Sequence, residues 1–353
     1  MKTILFAALA CCVMAPAFGD DEPAFEGDPQ CQVARIRLEP SARLVAWRGP
    51  CKDGFADGAG KLEWKLKDGV KAELDGTLAH GDIAGEGTLT YSDGVTYIGT
   101  FKSGVPDGQG YRKWPDGAQY EGGFRRGKRD GQGILAYANG NVYKGGFKNG
   151  RPHGFGHTDF ILGGSVEGEY SDGKLVGKVK VVHAGSGRVY EGDVEAWRAS
   201  RPQAGAPEEF FGREDTPQTG TRILARNTRS PVPPGANWDA LTSEQKDWIR
   251  TRYQTLEQGD DPPYPVNGTS EFFKVAQAAS QAFPDARGKL RLYILVGKDG
   301  VPKSVRKAGT YNEDITRHMA AAAMAIRYKP ALCHGEPCEM VYPFELNFVT
   351  TPL

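Results

Sequence analysis

The chain has 353 residues, with 44 basic and 44 acidic side chains, a formal net charge of zero and 39% hydrophobic residues. That length suits two or three domains; balanced charge excludes a dedicated nucleic-acid binder, and 25% charged with 10% aromatic residues excludes a disordered chain. Glycine is over-represented at 47 residues against the usual share, and the excess is local, since 34 of them fall within residues 47–192.

Residues 1–20 hold Lys2, an apolar run over 4–18, and small residues at Ala15, Ala17 and Gly19. This reads as a cleavable secretory signal peptide over 1–19, too short to span a bilayer as a helix; acylation of Cys11 or Cys12 is the rival reading. A periplasmic location is expected. Residues 20–46 form an N-terminal segment. Export makes the four remaining cysteines, Cys31, Cys51, Cys333 and Cys338, candidates for disulfides. Three connectivities are open, and the economical one pairs Cys31 with Cys51 and Cys333 with Cys338.

A repeat follows. From Tyr97, steps of 23 residues reach Tyr120, Tyr143 and Val166, and Tyr190 comes one residue late; backward steps reach Leu74 and, with four extra residues, Trp47. Two residues after each start stands a glycine, as in Gly99, Gly122 and Gly145, and four residues after stands a mostly apolar residue, as in Phe101, Phe124 and Phe147. Strand side chains alternate, so these starts and the residues four later share one face. Asp93-Gly94, Asp116-Gly117 and Asn139-Gly140 are expected to make the hairpin turns, which demand positive φ. One hairpin cannot bury its aromatic face alone, so neighbours must stack into an elongated sheet over 47–198. Val179 replaces a glycine in the last repeat, as expected near a capped end.

This pattern resembles the MORN repeat family, whose unit reads Tyr-x-Gly-x-Phe-x-x-Gly-x-x-x-Gly-x-Gly. The runs beginning at Tyr97, Tyr120 and Tyr143 match every named position. The resemblance implies a single-layer antiparallel sheet of successive hairpins, used for protein contact or anionic lipid headgroups and not for catalysis. Arg125, Arg126, Lys128 and Arg129 form a candidate basic patch for phosphate-bearing headgroups or an acidic partner, or else a solvated hairpin tip. His153 and His157 have a spacing that suits a metal only on a helix; on strand and turn, no metal site is expected.

Residues 199–237 are rich in Pro and Gly and read as an extended tether before a C-terminal unit over 238–353. There Thr242 and Gln245 suit a capping box, followed by an apolar stripe of Trp248, Ile249, Tyr253 and Leu256. Phe272, Ala276, Ala279 and Phe283 mark a second helix. Leu290, Leu292, Ile294 and Val296 alternate as a strand, Asp299-Gly300 turns into a second strand through Val305, and a helix over about 313–326 presents Ile315, Met319 and Ala323 on one face. A third strand is expected over 338–348; Pro343 cannot donate to a ladder, so that strand belongs at a sheet edge or carries a bulge.

The order strand–strand–helix–strand, with Asp299-Gly300, Tyr328-Lys329-Pro330-Ala331, Gly335-Glu336-Pro337 and Tyr342-Pro343-Phe344-Glu345-Leu346, resembles the TonB C-terminal domain over about 270–350. The resemblance implies a periplasmic domain that pairs its edge strand with an extended peptide of an outer-membrane transporter. β-Augmentation suits that task, which makes Met340, Tyr342, Phe344, Leu346 and Phe348 the candidate partner-binding residues. An accessory or energy-transducer-like role in transport is the alternative, as is anionic-lipid binding through the repeats. Ten Lys/Arg against three Asp/Glu over 286–329 favour acidic partners. The six histidines, at 80, 153, 157, 183, 318 and 334, join no catalytic motif, and the glycines are explained by their period. The expected fold class is therefore β plus α+β: an elongated hairpin sheet followed by a small β-β-α-β domain. The expected function is a non-enzymatic binding scaffold without catalytic residue, cofactor, metal or nucleic-acid partner.

Overall fold

The structure is a computed structural model that describes residues 25–34, 42–201, 210–212, 228–283, 286–309 and 311–348. The signal-peptide reading of residues 1–19 and most of the expected tether lie outside the described residues. Residues 43–193 build one 13-stranded antiparallel sheet in which nearly every strand pairs with its sequence neighbours, as the repeat period requires.

Two residue types at one spacing make this sheet possible. Cross-strand register lines up Gly60, Gly76, Gly87, Gly99, Gly110, Gly122, Gly133, Gly145, Gly156 and Gly168 in a single row. The tyrosine that opens a repeat folds across this row. A methyl group at Gly133 would meet the Tyr120 ring and hydroxyl at 2.5–2.6 Å, and one at Gly156 would meet Tyr143 at 2.4–2.6 Å; real side chains do not approach so closely, so glycine is obligatory there. Each ring then donates its hydroxyl to a backbone carbonyl three residues on: Tyr97 to Thr100 at 2.9 Å, Tyr120 to Gly123 at 3.0 Å, Tyr143 to Gly146 at 2.9 Å. Val166 opens the next unit without a ring, and there Val179 takes the place of glycine opposite Gly168. The two exceptions belong to one another.

The rings also touch across repeats. Phe101, Tyr97, Phe124, Tyr120, Phe147, Tyr143 and Tyr170 run in an unbroken zigzag of edge-on contacts with centroids 4.9–5.2 Å apart, each worth about 0.5–1.5 kcal/mol beyond burial. Tyr120 is 0% and Tyr143 1% exposed, so a single layer of sheet buries its own core.

The turns correct one expectation. The two-residue turns are Asp53-Gly54, His80-Gly81, Ser103-Gly104, Arg126-Gly127, Asn149-Gly150 and Asp172-Gly173, with both residues at positive φ, the geometry a tight hairpin requires. In Asp93-Gly94, Asp116-Gly117 and Asn139-Gly140 only the glycine has positive φ. The acid or amide instead accepts the amide of the residue two later, at 3.0–3.1 Å, an Asx turn inside a longer loop. Tight turns therefore line one long border of the sheet and Asx loops the other.

Both ends of the sheet are covered. At the first, four short strands, Phe25–Asp28, Cys31–Ala34, Cys51–Lys52 and Phe55–Ala56, form a small sheet held by the Cys31–Cys51 disulfide, and Val33 and Ala56 join the repeat core. At the other, α1 (Val194–Ser200) starts at Asp193, whose carboxylate accepts the Glu195 amide, and lays Val194 and Trp197 on Val166, Leu175, Val179 and Val181.

The C-terminal unit contains α2 (Ser243–Thr251), α3 (Ser270–Ala282), strands Gly288–Val296 and Pro302–Ala308, α4 (Glu313–Ala325) and strand Met340–Phe348. The capping box at Thr242 and Gln245 is present. Gly288–Val296 is central in the three-stranded sheet, and Met340–Phe348 is an edge, where Pro343 fits. Leu290, Leu292, Ile294 and Val296 pack against Phe272, Ala276, Ile315, Met319 and Ala323. Residues 336–338 do not belong to this strand: Glu336–Cys338 pairs with Ala331–Cys333 in a separate hairpin closed by the Cys333–Cys338 disulfide. Among the described residues no helix is long and apolar enough to cross a membrane.

Two measurements test the ring-over-glycine account. Gly133→Ala should destabilise the protein by about 1–3 kcal/mol, the usual cost of overpacking. Adding Tyr120→Leu should recover part of that loss in a double-mutant cycle; strictly additive denaturation midpoints would contradict the fit. Burial also pushes the Tyr97 and Tyr120 hydroxyls from their ordinary value of 10 up to about 12. The unfolded chain therefore gives up these protons first, so their contribution is intact below pH 10 and is lost as pH rises from 10 to 12. Phenolate absorbance should show these rings ionising late in the folded protein, and together with unfolding.

Candidate functional site

The Asx-loop border of the repeat sheet docks the C-terminal unit. Arg291 donates to the Ala138 carbonyl at 3.1 Å, Tyr293 to the Asn139 carbonyl at 2.7 Å and Thr255 to the Gly163 carbonyl at 2.8 Å. The Thr255 carbonyl in turn accepts the Ala184 amide at 3.1 Å. Leu162 lies in one apolar cluster with Tyr253, Leu256, Tyr293, Met340 and Val341. Gly164 has φ +74, and a methyl group there would meet the Thr255 hydroxyl at 2.3 Å. The C-terminal sheet thus has two occupied faces: its even-numbered residues Leu290 to Val296 meet the helices, while Arg291, Tyr293 and Leu295 meet the repeat loops. The two units on either side of the expected tether meet along a packed seam.

The candidate partner strand is placed as follows. Met340, Tyr342, Phe344 and Phe348 are 2–5% exposed and Leu346 is half-buried. Phe344 stacks on Phe272 at 4.1 Å, and burial raises the Tyr342 hydroxyl well above its ordinary range. These side chains are core, so only the backbone of the strand can meet a partner. Register with Tyr293 and the missing proline amide turn the odd-numbered backbone groups outward. Two of them are taken: the Val341 carbonyl accepts Tyr253 at 2.8 Å and the Pro343 carbonyl accepts Arg252 at 3.4 Å. Glu345 and Asn347, next along the edge, are exposed. Lys289 and Arg291 hold the Glu345 carboxylate at 2.8 and 3.0 Å; burial pushes its pKa up, and these two cations outweigh it and hold it below the usual value.

The basic patch splits. Arg125, Arg126 and Lys128 are exposed around the Arg126-Gly127 turn, with Arg125 facing Asp130 at 3.6 Å. Arg129 turns inward over the Trp114, Tyr120 and Phe147 rings at 5.3–5.8 Å, donates to the Gly150 carbonyl, and has its pKa lowered by burial. It is a packing residue rather than part of a displayed charge. Further exposed cations, Lys102, Lys148 and Arg151, extend the tight-turn border on either side. His157 lies 2.9 Å from Asp159, with His153 apart from that pair.

The seam holds a group that sequence reasoning missed. Glu257, Asp260 and His334 each present a ligand-type atom within 4.8 Å of the others, and His183 of the repeat sheet faces Glu257 at 3.9 Å. Asp260 is 1% exposed, and burial raises its pKa, partly opposed by the His334 amide. Glu257 and Asp260 stand close in sequence, but His183 lies 74 positions before Glu257, across the tether, and His334 lies 74 positions after Asp260, so no local spacing announces the group.

A family model for the MORN repeat matches residues 75–96, 97–119, 120–142 and 143–160. The chain therefore carries four MORN repeats, set inside a longer sheet whose flanking hairpins keep the geometry without the full signature. No curated protein matches the chain.

The seam predicts shared unfolding. Leu162→Asp, which buries a charge between the two units, should replace a single calorimetric transition by two; one unchanged transition would mean that the docking contributes nothing to cooperativity.

Proposed function

We propose that the chain is a non-enzymatic, exported scaffold of the periplasm, and that its C-terminal unit takes an extended peptide of an envelope or outer-membrane transport protein by strand addition. MORN repeats point to a binding or scaffold role. The observation that carries the finer reading is the edge position of Met340–Phe348, together with the strand–strand–helix–strand order of a TonB-like domain. Backbone groups at such an edge supply affinity without presented side chains. With Tyr253 and Arg252 covering Val341 and Pro343, the peptide begins its pairing at Glu345 and Asn347. The packed seam makes the repeats a rigid mount for that edge, unlike the long spacer of an energy transducer, so an accessory role in transport fits better than energy coupling. A second reading rests on the exposed cations of the tight-turn border, from Lys102 to Arg151, which suit an anionic headgroup surface.

Asn347→Pro removes one outward amide at an edge position that tolerates proline. Full-length protein carrying it should keep its circular dichroism and lose a transport-protein partner that the wild type captures from envelope extract. The triple change Arg125→Glu, Arg126→Glu, Lys128→Glu should retain that partner. The reverse pattern would move binding to the repeats.

A further inference from the structure

The three segments that meet at the seam bring together two imidazoles and two carboxylates. His183 sits in the loop after the Lys174–Val182 strand, Glu257 and Asp260 follow α2, and His334 occupies the first position of the tight turn inside the Cys333–Cys338 hairpin, at φ +54. We propose that His183, Glu257, Asp260 and His334 form a zinc site that bridges the repeat sheet and the C-terminal unit.

Four observations carry it. The Nδ1 of His183 lies 2.9 Å from the Thr255 carbonyl. A carbonyl only accepts, so Nδ1 carries the proton and, in the neutral ring, Nε2 keeps its lone pair. That lone pair faces Glu257 Oε1 at 3.9 Å, too long for a hydrogen bond. A carbonyl bond that fixes the tautomer in this way is the usual support of a metal-ligating imidazole. Next, His334 Nε2 lies 2.6 Å from the Arg188 guanidinium, which has only protons to give, so this nitrogen too keeps its lone pair. It stands 3.2 Å from Glu257 Oε2, an approach of two acceptors that needs a cation, a place Arg188 fills in this structure.

Third, Asp260 is 1% exposed, its Oδ1 accepts the His334 amide at 2.8 Å, and its Oδ2 is buried with no hydrogen-bond partner. Buried carboxylates are paired or coordinate a metal. Finally, the spacing fits. Ligand atoms around a tetrahedral zinc stand about 3.3 Å apart, given bonds near 2.0 Å; here Glu257 stands 3.2 Å from His334 Nε2 and 3.9 Å from His183 Nε2, and one ligand atom each of Glu257, Asp260 and His334 lie within 4.8 Å of one another. Calcium and magnesium favour all-oxygen ligands, whereas two imidazoles with carboxylates suit zinc among the transition metals that imidazole takes. Ser186 donates to Glu257 Oε2 at 3.1 Å and orients the carboxylate. Arg188, 63% exposed along its side chain and 3.9 Å from Glu257, is the cation that zinc displaces.

The test titrates full-length mature protein, stripped with chelator, with zinc chloride in a calorimeter, and follows the visible spectrum on adding cobalt chloride. One equivalent should bind, the melting temperature should rise, and cobalt should give a tetrahedral-type absorption band. His183→Ala, and Glu257→Gln as the near-isosteric variant that preserves the fold, should each weaken binding at least about 10-fold, while His157→Ala leaves it unchanged. Absence of stoichiometric binding, survival of binding in both ligand variants, or loss in His157→Ala would overturn the site.

Discussion

A tyrosine ring lying flat across glycines is the constraint on which the molecule depends. An isolated antiparallel sheet has two faces and no partner layer, so its apolar face must be covered by its own side chains. A ring can lie down only where the backbone beneath it lacks a Cβ, and strand pairing carries that requirement from one hairpin to the next. The glycine row from Gly60 to Gly168 is the result. Its break at Val179 falls opposite a unit that opens with valine, whereas the unit opened by Leu74 keeps its glycines at 76 and 87.

The second feature is the division of labour between the two long borders. Tight turns leave no room for anything but two residues, and cations cluster there. The Asx loops and the 160–164 loop that follows them are longer, expose carbonyls such as those of Ala138, Asn139 and Gly163, and give a second domain something to bind. The C-terminal sheet uses its second face for this, so a unit that has the parts of an independent domain is instead half of a composite body.

Much of this was legible in the residues. The period from Tyr97 announced the hairpins, the alternation from Leu290 the central strand, and Pro343 the edge; both disulfides follow the economical pairing. What stayed hidden was of two kinds. Asp93-Gly94 and Asp172-Gly173 read alike as dipeptides, yet only the second is a tight turn with both residues at positive φ, so the pair of residues alone does not say which kind of turn it makes. The seam was hidden for another reason: Leu162, Thr255 and Tyr293 are ordinary residues in their own segments, and nothing in a one-dimensional pattern says that an alternating strand such as 288–296 is covered on both sides. Arg129 shows the same limit at one position, since its neighbours in sequence are solvated and its neighbours in space are rings.

The docking loops at 138–141, 161–164 and 183–188 come from successive hairpins, so their spacing is set by strand pairing at about 4.8 Å per strand. Duplicating or losing a whole unit ahead of Tyr97 would lengthen or shorten the ribbon while leaving the harbour for the second body untouched, since the last loop beside it, at Asp116, lies after that point. The same event between Asn141 and His183 would displace one mooring against the others by about 10 Å. The protein is thus free to vary its length at one end only, and the small disulfide-bound sheet that closes that end can travel outward with it.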